Sequence, residues 1–194
     1  MRIIAGEHRG RPIKTAKGDG TRPTTDRVRE ALMSVLASAR GGWAGAVVLD
    51  AFAGSGALGL EALSRGAQRA VFYERDGAAA RIISENITAL GVGSSAKLVK
   101  TDVMKRPPIS NAQSFDLVLL DPPYDVEPCA IVDLIQALDQ AQVLAQDALV
   151  SYEYAKSNNS AVQEALESLQ WKTISQKTYG DTSIIVVGKE TYRS

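Results

Sequence analysis

One cysteine and one histidine in 194 residues are the sharpest shortages in this chain. A lone Cys129 closes no internal disulfide, which suits a reducing compartment, and it is expected to serve as a small half-buried apolar residue. Cys129 and His8 cannot together build a Cys/His zinc site, so no metal is expected. Apolar stretches of membrane-spanning length are absent, and Met1-Arg2-Ile3-Ile4 leads straight into charged sequence where a leader would be apolar. Both absences point to a cytoplasmic protein with no membrane contact. Internal repeats and low-complexity segments are missing as well. What remains, 45% hydrophobic and 23% charged, is the ordinary composition of one globular domain with a small appendage.

Net charge is also absent, with 22 basic against 22 acidic residues, but its distribution is uneven. Residues 1–30 hold eight basic and four acidic side chains, so this segment carries +4 and the rest of the chain −4. A basic segment on an acidic body suggests a local polyanion contact, and Arg2, Arg9, Arg11 and Lys14 are its candidates. A solvated basic surface is the other reading of the same arginines.

Residues 2–15 read as two short strands around Glu7-His8-Arg9-Gly10, a small hairpin. Ala16 to Arg22 is a Gly-rich loop, and a helix starts near Thr24-Thr25-Asp26 with Val28, Ala31, Leu32, Val35 and Leu36 on one face. This helix stops at Gly41-Gly42, which divides the chain into an extension over 1–42 and a main domain over 43–194. From Val47 onward strand and helix alternate. Strands are expected at 47–52, 69–74, 97–101, 115–120, 148–154, 171–178 and 182–187. Helices are expected at 57–65, 77–90, 128–144 and 160–169. Such alternation implies an α/β fold with a mostly parallel seven-stranded sheet covered on both faces. The tight turn Tyr179-Gly180-Asp181 adds an antiparallel pair at one edge.

Asp121-Pro122-Pro123-Tyr124 follows the apolar strand Phe115 to Leu120. Two prolines freeze the backbone, and neither has an N–H to occupy a nearby carbonyl. The rim is thus expected to hold a carboxylate, a carbonyl and an aromatic ring. Asp121 and the Pro122 carbonyl could accept both hydrogens of an amino group on a planar ligand, with Tyr124 stacked on its ring. A Pro-rich turn with a surface tyrosine is the plainer alternative. Upstream, Gly54, Gly56 and Gly59 match G-x-G-x-x-G between the first core strand and its helix, a pattern shared by several nucleotide sites. Asp50 and Phe52 flank that loop. A carboxylate at Asp50 would repel a pyrophosphate but suits a ligand bearing an amino group and a sulfonium, as S-adenosylmethionine does. Glu74, followed by Arg75, stands at the second strand end, where an acid takes ribose hydroxyls. Asp102 and Val103 at the third are placed to read an adenine edge. Each acid alone could be a helix cap. Together with Asp121 they line the carboxyl ends of four strands, where open α/β sheets bind ligands.

On these residues the core resembles a Rossmann-like class I S-adenosylmethionine-dependent methyltransferase with a D-P-P-Y amino-methylation motif. More narrowly, Arg2-Ile3-Ile4-Ala5-Gly6, Arg9-Gly10-Arg11, the run from Thr21 to Leu32, and Tyr179-Gly180-Asp181-Thr182 resemble the bacterial 16S rRNA guanine-N2 methyltransferase D family. Met33-Ser34 and Ala16 depart from its pattern, away from the proposed chemistry. The resemblance implies S-adenosylmethionine as cofactor, held by Arg22, Thr24, Asp50, Phe52, Gly54, Gly56, Glu74, Arg75, Asp102, Val103 and Asp121. It implies catalysis by Asp121, Pro122 and Tyr124 on the N2 amine of the guanine at position 966 in 16S rRNA. The expected partner is that rRNA within a small-subunit ribonucleoprotein, met by a monomer and contacted through Arg2, Arg9, Arg11 and Lys14. Residues Thr21 to Thr25 are expected to fold over the cofactor, with Arg22 on either its carboxylate or an RNA phosphate. Rival readings are a methyltransferase acting on DNA adenine, another RNA or a protein amide, a Rossmann oxidoreductase, and a ribosome-assembly factor with a residual cofactor pocket.

Overall fold

The computed structural model describes residues 1–15, 26–109 and 114–189. Within them run α1 (Asp26–Arg40), β1 (Val47–Asp50), α2 (Ala57–Ser64), β2 (Arg69–Tyr73), α3 (Gly77–Leu90), β3 (Ala96–Val99) and β4 (Phe115–Leu120). Then come α4 (Pro128–Gln140), β5 (Leu144–Ala155), α5 (Asn159–Glu167), β6 (Lys172–Tyr179) and β7 (Thr182–Gly188). The seven strands form one sheet in the order β3-β2-β1-β4-β5-β7-β6. Pairings β3-β2, β2-β1, β1-β4 and β4-β5 are parallel, and β7 runs antiparallel to both β5 and β6. The α/β class, the mostly parallel sheet and the antiparallel pair at one edge are as the sequence implies. Strand order reverses between β1 and β4, which opens a crevice at their carboxyl ends.

Period-two alternation sorts the strand side chains onto two cores. Val48, Phe72, Leu117, Leu119, Leu149 and Ile184 face α1, α2 and α3. Leu49, Val71, Val118, Leu120, Val150 and Ile185 face α4 and α5. By the same alternation, Asp50 and Asp121 point to the first of these faces.

The N-terminal ribbon is the expected hairpin, shortened from two strands to one antiparallel bridge, Arg2 to Pro12. Across it the Ile3 N–H donates to the Arg11 carbonyl at 3.0 Å, the Gly10 N–H to the Ile3 carbonyl at 2.8 Å and the Ile13 N–H to the Met1 carbonyl at 3.0 Å. Other backbone groups of the ribbon bond the main domain. Ile4 and Ala5 N–H donate to the Glu61 carboxylate at 2.9 and 3.0 Å, and Glu7 N–H donates to the Ser64 carbonyl at 2.7 Å. Gly6, at φ +84°, lies so close that a Cβ would stand 1.8 Å from the Ser64 carbonyl oxygen. Ile3 and Ile13 are buried in the same core as α1 and α2. Glu61 is fully buried, and Arg65 Nε at 2.9 Å and Arg29 Nε at 3.7 Å supply its counter-charge. Removing one partner from such a buried network costs about 3–5 kcal/mol.

Other expectations shift at element ends. The expected helix 128–144 stops at Gln140. Gln142 takes a left-handed conformation (φ 56°), and the Val143 N–H returns to the Leu138 carbonyl at 3.2 Å. Freed there, the chain enters β5 at Leu144, four residues ahead of the expected start. β1 ends at Asp50 and β3 at Val99, so Asp102 lies three residues beyond its strand, not at its end. Cys129 is exposed on α4, not half-buried. No helix of the described residues is long and apolar enough to cross a membrane.

Candidate active site

The loop from β1 to α2 is shaped by its glycines. Gly54 (φ 54°) and Gly56 (φ 80°) take left-handed conformations that a Cβ would strain. Gly59 has a different reason. A Cβ there would sit 2.3 Å from the Phe72 ring, so its absence lets α2 lie against β2. Gly56 caps α2 without a side chain, and Asp50 takes over that duty by accepting from the Gly59 N–H at 2.9 Å.

Asp50, Phe52, Gly54, Glu74, Arg75, Asp102, Val103 and Asp121 all line one cavity of about 290 Å³ at the carboxyl ends of the strands. That is near the lower bound of roughly 300 Å³ for small-ligand sites. Gly56 belongs to the turn rather than to the cavity wall, and Arg22 and Thr24 lie outside the described residues, as does the expected cofactor cover of Thr21 to Thr25. Reading strand ends for acids missed Met1, Arg29, Ser55, Tyr73, Thr101 and Met104, which share the wall. Arg29 left one signal. It falls within the buried stripe Val28, Leu32, Met33 and Leu36 of α1, where a charge needs a reason.

The acids are held differently. Asp50 is buried, and burial pushes its carboxyl up to about 7, with Asp121 and Glu74 adding to the rise and the Gly59 N–H opposing it. A cationic group entering the cavity would relieve that cost. Glu74 accepts from the Gly54 N–H at 2.8 Å and from the Asp76 N–H at 2.7 Å, so its carboxylate stands fixed between loop and helix. Each oxygen keeps a lone pair for a hydroxyl. Asp102 accepts from the Met104 N–H at 3.0 Å and lies 3.7 Å from Arg75 Nη1. The donor set therefore fits S-adenosylmethionine. Asp50 offers charge to its amino group and sulfonium, Glu74 offers acceptors to its ribose, and the segment around Asp102 and Val103 flanks the space left for its base.

Asp121 faces the cavity, with Pro123 and Val126 beside it on the wall. Pro122 and Tyr124 lie on the other side of the rim against Tyr152, Glu153, Tyr154 and Asn158, a seam too tight to admit a water. Tyr124 is 41% exposed, and its hydroxyl meets Thr182 Oγ1 at 2.8 Å, which ties the rim to the β6–β7 hairpin. Arg2, Arg9, Arg11 and Lys14 are exposed, with unequal freedom. Arg11 donates to the carbonyls of Ala89 and Leu90 at the end of α3, Lys14 pairs with Glu85 at 2.8 Å, and Arg2 lies 3.6 Å from Asp26. Arg9 makes no ion pair among the described residues.

Comparison with known proteins places these features in context. The family model described as conserved hypothetical protein 95 matches residues 1–188. Ribosomal RNA small subunit methyltransferase D of Escherichia coli K12 is 39% identical over 166 residues, covering 81% of this chain and 76% of that protein. The Haemophilus influenzae protein of the same name is 35% identical over 192 residues, covering 94% and 91%. The solved structure of yhhF from Escherichia coli superposes with a TM-score of 0.76 at 33% identity, covering 98% of both chains.

Proposed function

Because the chain belongs to the S-adenosylmethionine-dependent rRNA methyltransferase family that includes ribosomal RNA small subunit methyltransferase D, we propose that it methylates the exocyclic N2 amine of a guanine in 16S rRNA, the one at position 966. The observation that carries this reading is Asp121 on the wall of the cavity, at the start of the Asp121-Pro122-Pro123-Tyr124 rim. A methyl donor in the cavity and an amine brought to that rim would meet at Asp121.

S-adenosylmethionine, when bound, supplies an electrophilic methyl group on a sulfonium. Asp50, Glu74, Arg75, Asp102, Val103, Phe52 and Gly54 would hold it, with Arg22, Thr24 and Gly56 assigned to the same task by sequence. The guanine amine is a poor nucleophile because its lone pair delocalises into the ring. Asp121 and the Pro122 carbonyl, accepting its two hydrogens, would turn that lone pair out of the ring plane and aim it into the cavity. This is catalysis by position and electrostatics. Asp121 need not be a strong base, since the nitrogen turns acidic only once it is methylated. Tyr124 would stack on a base that has left its own stack, at about 1–3 kcal/mol per stacked base. Arg2, Arg9, Arg11 and Lys14 would contact the RNA backbone.

Replacing Asp121 with Ala is expected to lower methyl transfer to small ribosomal subunits by about 10²–10³-fold while S-adenosylhomocysteine affinity stays within a few-fold. Tyr124→Ala should weaken turnover by a smaller factor, with cofactor binding unchanged. Single-turnover kinetics beside calorimetric titration separates these effects. Wild-type turnover in Asp121→Ala would remove the rim from the mechanism.

A further inference from the structure

Arg29 is 1% exposed yet lines the cavity, an unusual place for a guanidinium. Its donors are unevenly used. Nη2 donates to the Arg2 carbonyl at 2.7 Å and to Asp26 Oδ1 at 3.1 Å. Nε lies 3.7 Å from Glu61 Oε2, beyond hydrogen-bond reach, and has no acceptor among the described residues. Glu61 cannot come closer cheaply, because Ile4, Ala5 and Arg65 already donate to its two oxygens. Among the described residues, Nη1 meets only the Met1 sulfur, at 2.9 Å. A thioether is a weak acceptor, and Met1 is 50% exposed and itself lines the cavity. One corner of the cavity thus holds a buried cation stoppered by a soft, displaceable side chain.

The ligand chemistry that fits such a corner is a carboxylate, which meets a guanidinium with charge-assisted bonds. Among the described residues, the other guanidinium on the wall, Arg75, is 66% exposed and lies 3.7 Å from Asp102. We propose that Arg29 receives the carboxylate at the amino-acid end of S-adenosylmethionine, which takes the place of the Met1 sulfur on Nη1. Asp50 then serves the ammonium of the same zwitterion. The inference rests on the reading of the cavity as the site of that cofactor. It makes α1 part of the binding machinery and gives a buried charge in its apolar stripe a function beyond its network with Glu61.

The test compares S-adenosylmethionine, its decarboxylated analogue and 5′-methylthioadenosine on the wild type, Arg29→Gln and Arg29→Lys. The wild type is expected to prefer the carboxylate-bearing cofactor over the decarboxylated one by roughly 10–100-fold. In Arg29→Gln that preference should fall to within about threefold of unity, and Arg29→Lys should restore part of it. Binding of 5′-methylthioadenosine, which lacks the amino-acid end, should stay unchanged and so report an intact fold. An undiminished preference in Arg29→Gln overturns the proposal. Should that variant fail to fold, wild-type protein with ¹³C-methyl methionine answers instead, the Met1 signal being assigned by Met33→Leu and Met104→Leu. That signal should move on adding S-adenosylhomocysteine and stay put with 5′-methylthioadenosine; no movement with either also overturns it. A wild type that binds none of these ligands would defeat the cofactor reading itself.

Discussion

Asp50 shows what one residue contributes beyond its place in a motif. Its carboxyl is raised from 3.8 to about 7, first by burial and then by the charges of Asp121 and Glu74. The folded state therefore holds a proton between those values that the unfolded chain releases, and stability falls as pH rises from about 4 to 7. Asp50→Asn keeps an acceptor for the Gly59 N–H without the charge. In the absence of ligand it should melt like the wild type at pH 5 and above it at pH 8. Affinity for the cationic cofactor should rise from pH 6 to pH 8 in the wild type and flatten in Asp50→Asn. Parallel melts with the same pH response would contradict this account. Asp50 was legible as an acid at a strand end beside a glycine loop. Its bond to Gly59 was not, because a side chain capping a helix nine residues away depends on the turn's geometry.

At the scale of elements, the β1–α2 unit decides whether the cavity exists. Gly59→Ala forces a Cβ against the Phe72 ring and should destabilise the protein by about 1–3 kcal/mol, with α2 pushed off β2. Because Asp50 caps this same helix, weaker cofactor binding should accompany the lower melting temperature. Unchanged melting and affinity would show that α2 has room to spare. The sequence made the elements themselves legible, since apolar runs, capping residues and glycines fall where the chain turns. The end of α4 escaped because Gln142 occupies a left-handed position with no glycine to announce it. The N-terminal hairpin was legible, but its docking escaped because its partners there are Glu61, Ser64 and Asn86, all more than fifty residues away, and local pattern cannot report them.

For the whole molecule, the basic ribbon lies against α2 and α3, on the face of the sheet that also bears Asp50 and Asp121. Arg11 and Lys14 already bond the body, so Arg9 is the side chain with the least competing for it. Arg9→Ala should weaken binding to small ribosomal subunits and reduce the salt dependence of that binding by about one unit of slope, at unchanged thermal stability. An unaltered slope would move the RNA path elsewhere. The strand-end acids and their convergence with Asp121 on one rim were legible, as was the basic ribbon as a residue type. The place of Met1 and Arg29 on the same cavity was not, since it follows from how the ribbon and α1 pack against the sheet.

So small a basic ribbon offers little surface for reading sequence, and a shaped ribonucleoprotein should serve better than free RNA. The decisive measurement is transfer of labelled methyl from S-adenosylmethionine to small ribosomal subunits from cells lacking this enzyme, with free 16S rRNA alongside, followed by nucleoside analysis. The account predicts N2-methylguanosine, mapped to position 966 and formed faster in subunits than in free RNA. Label in another nucleoside or in ribosomal protein, or none at all while the cofactor binds, would contradict it.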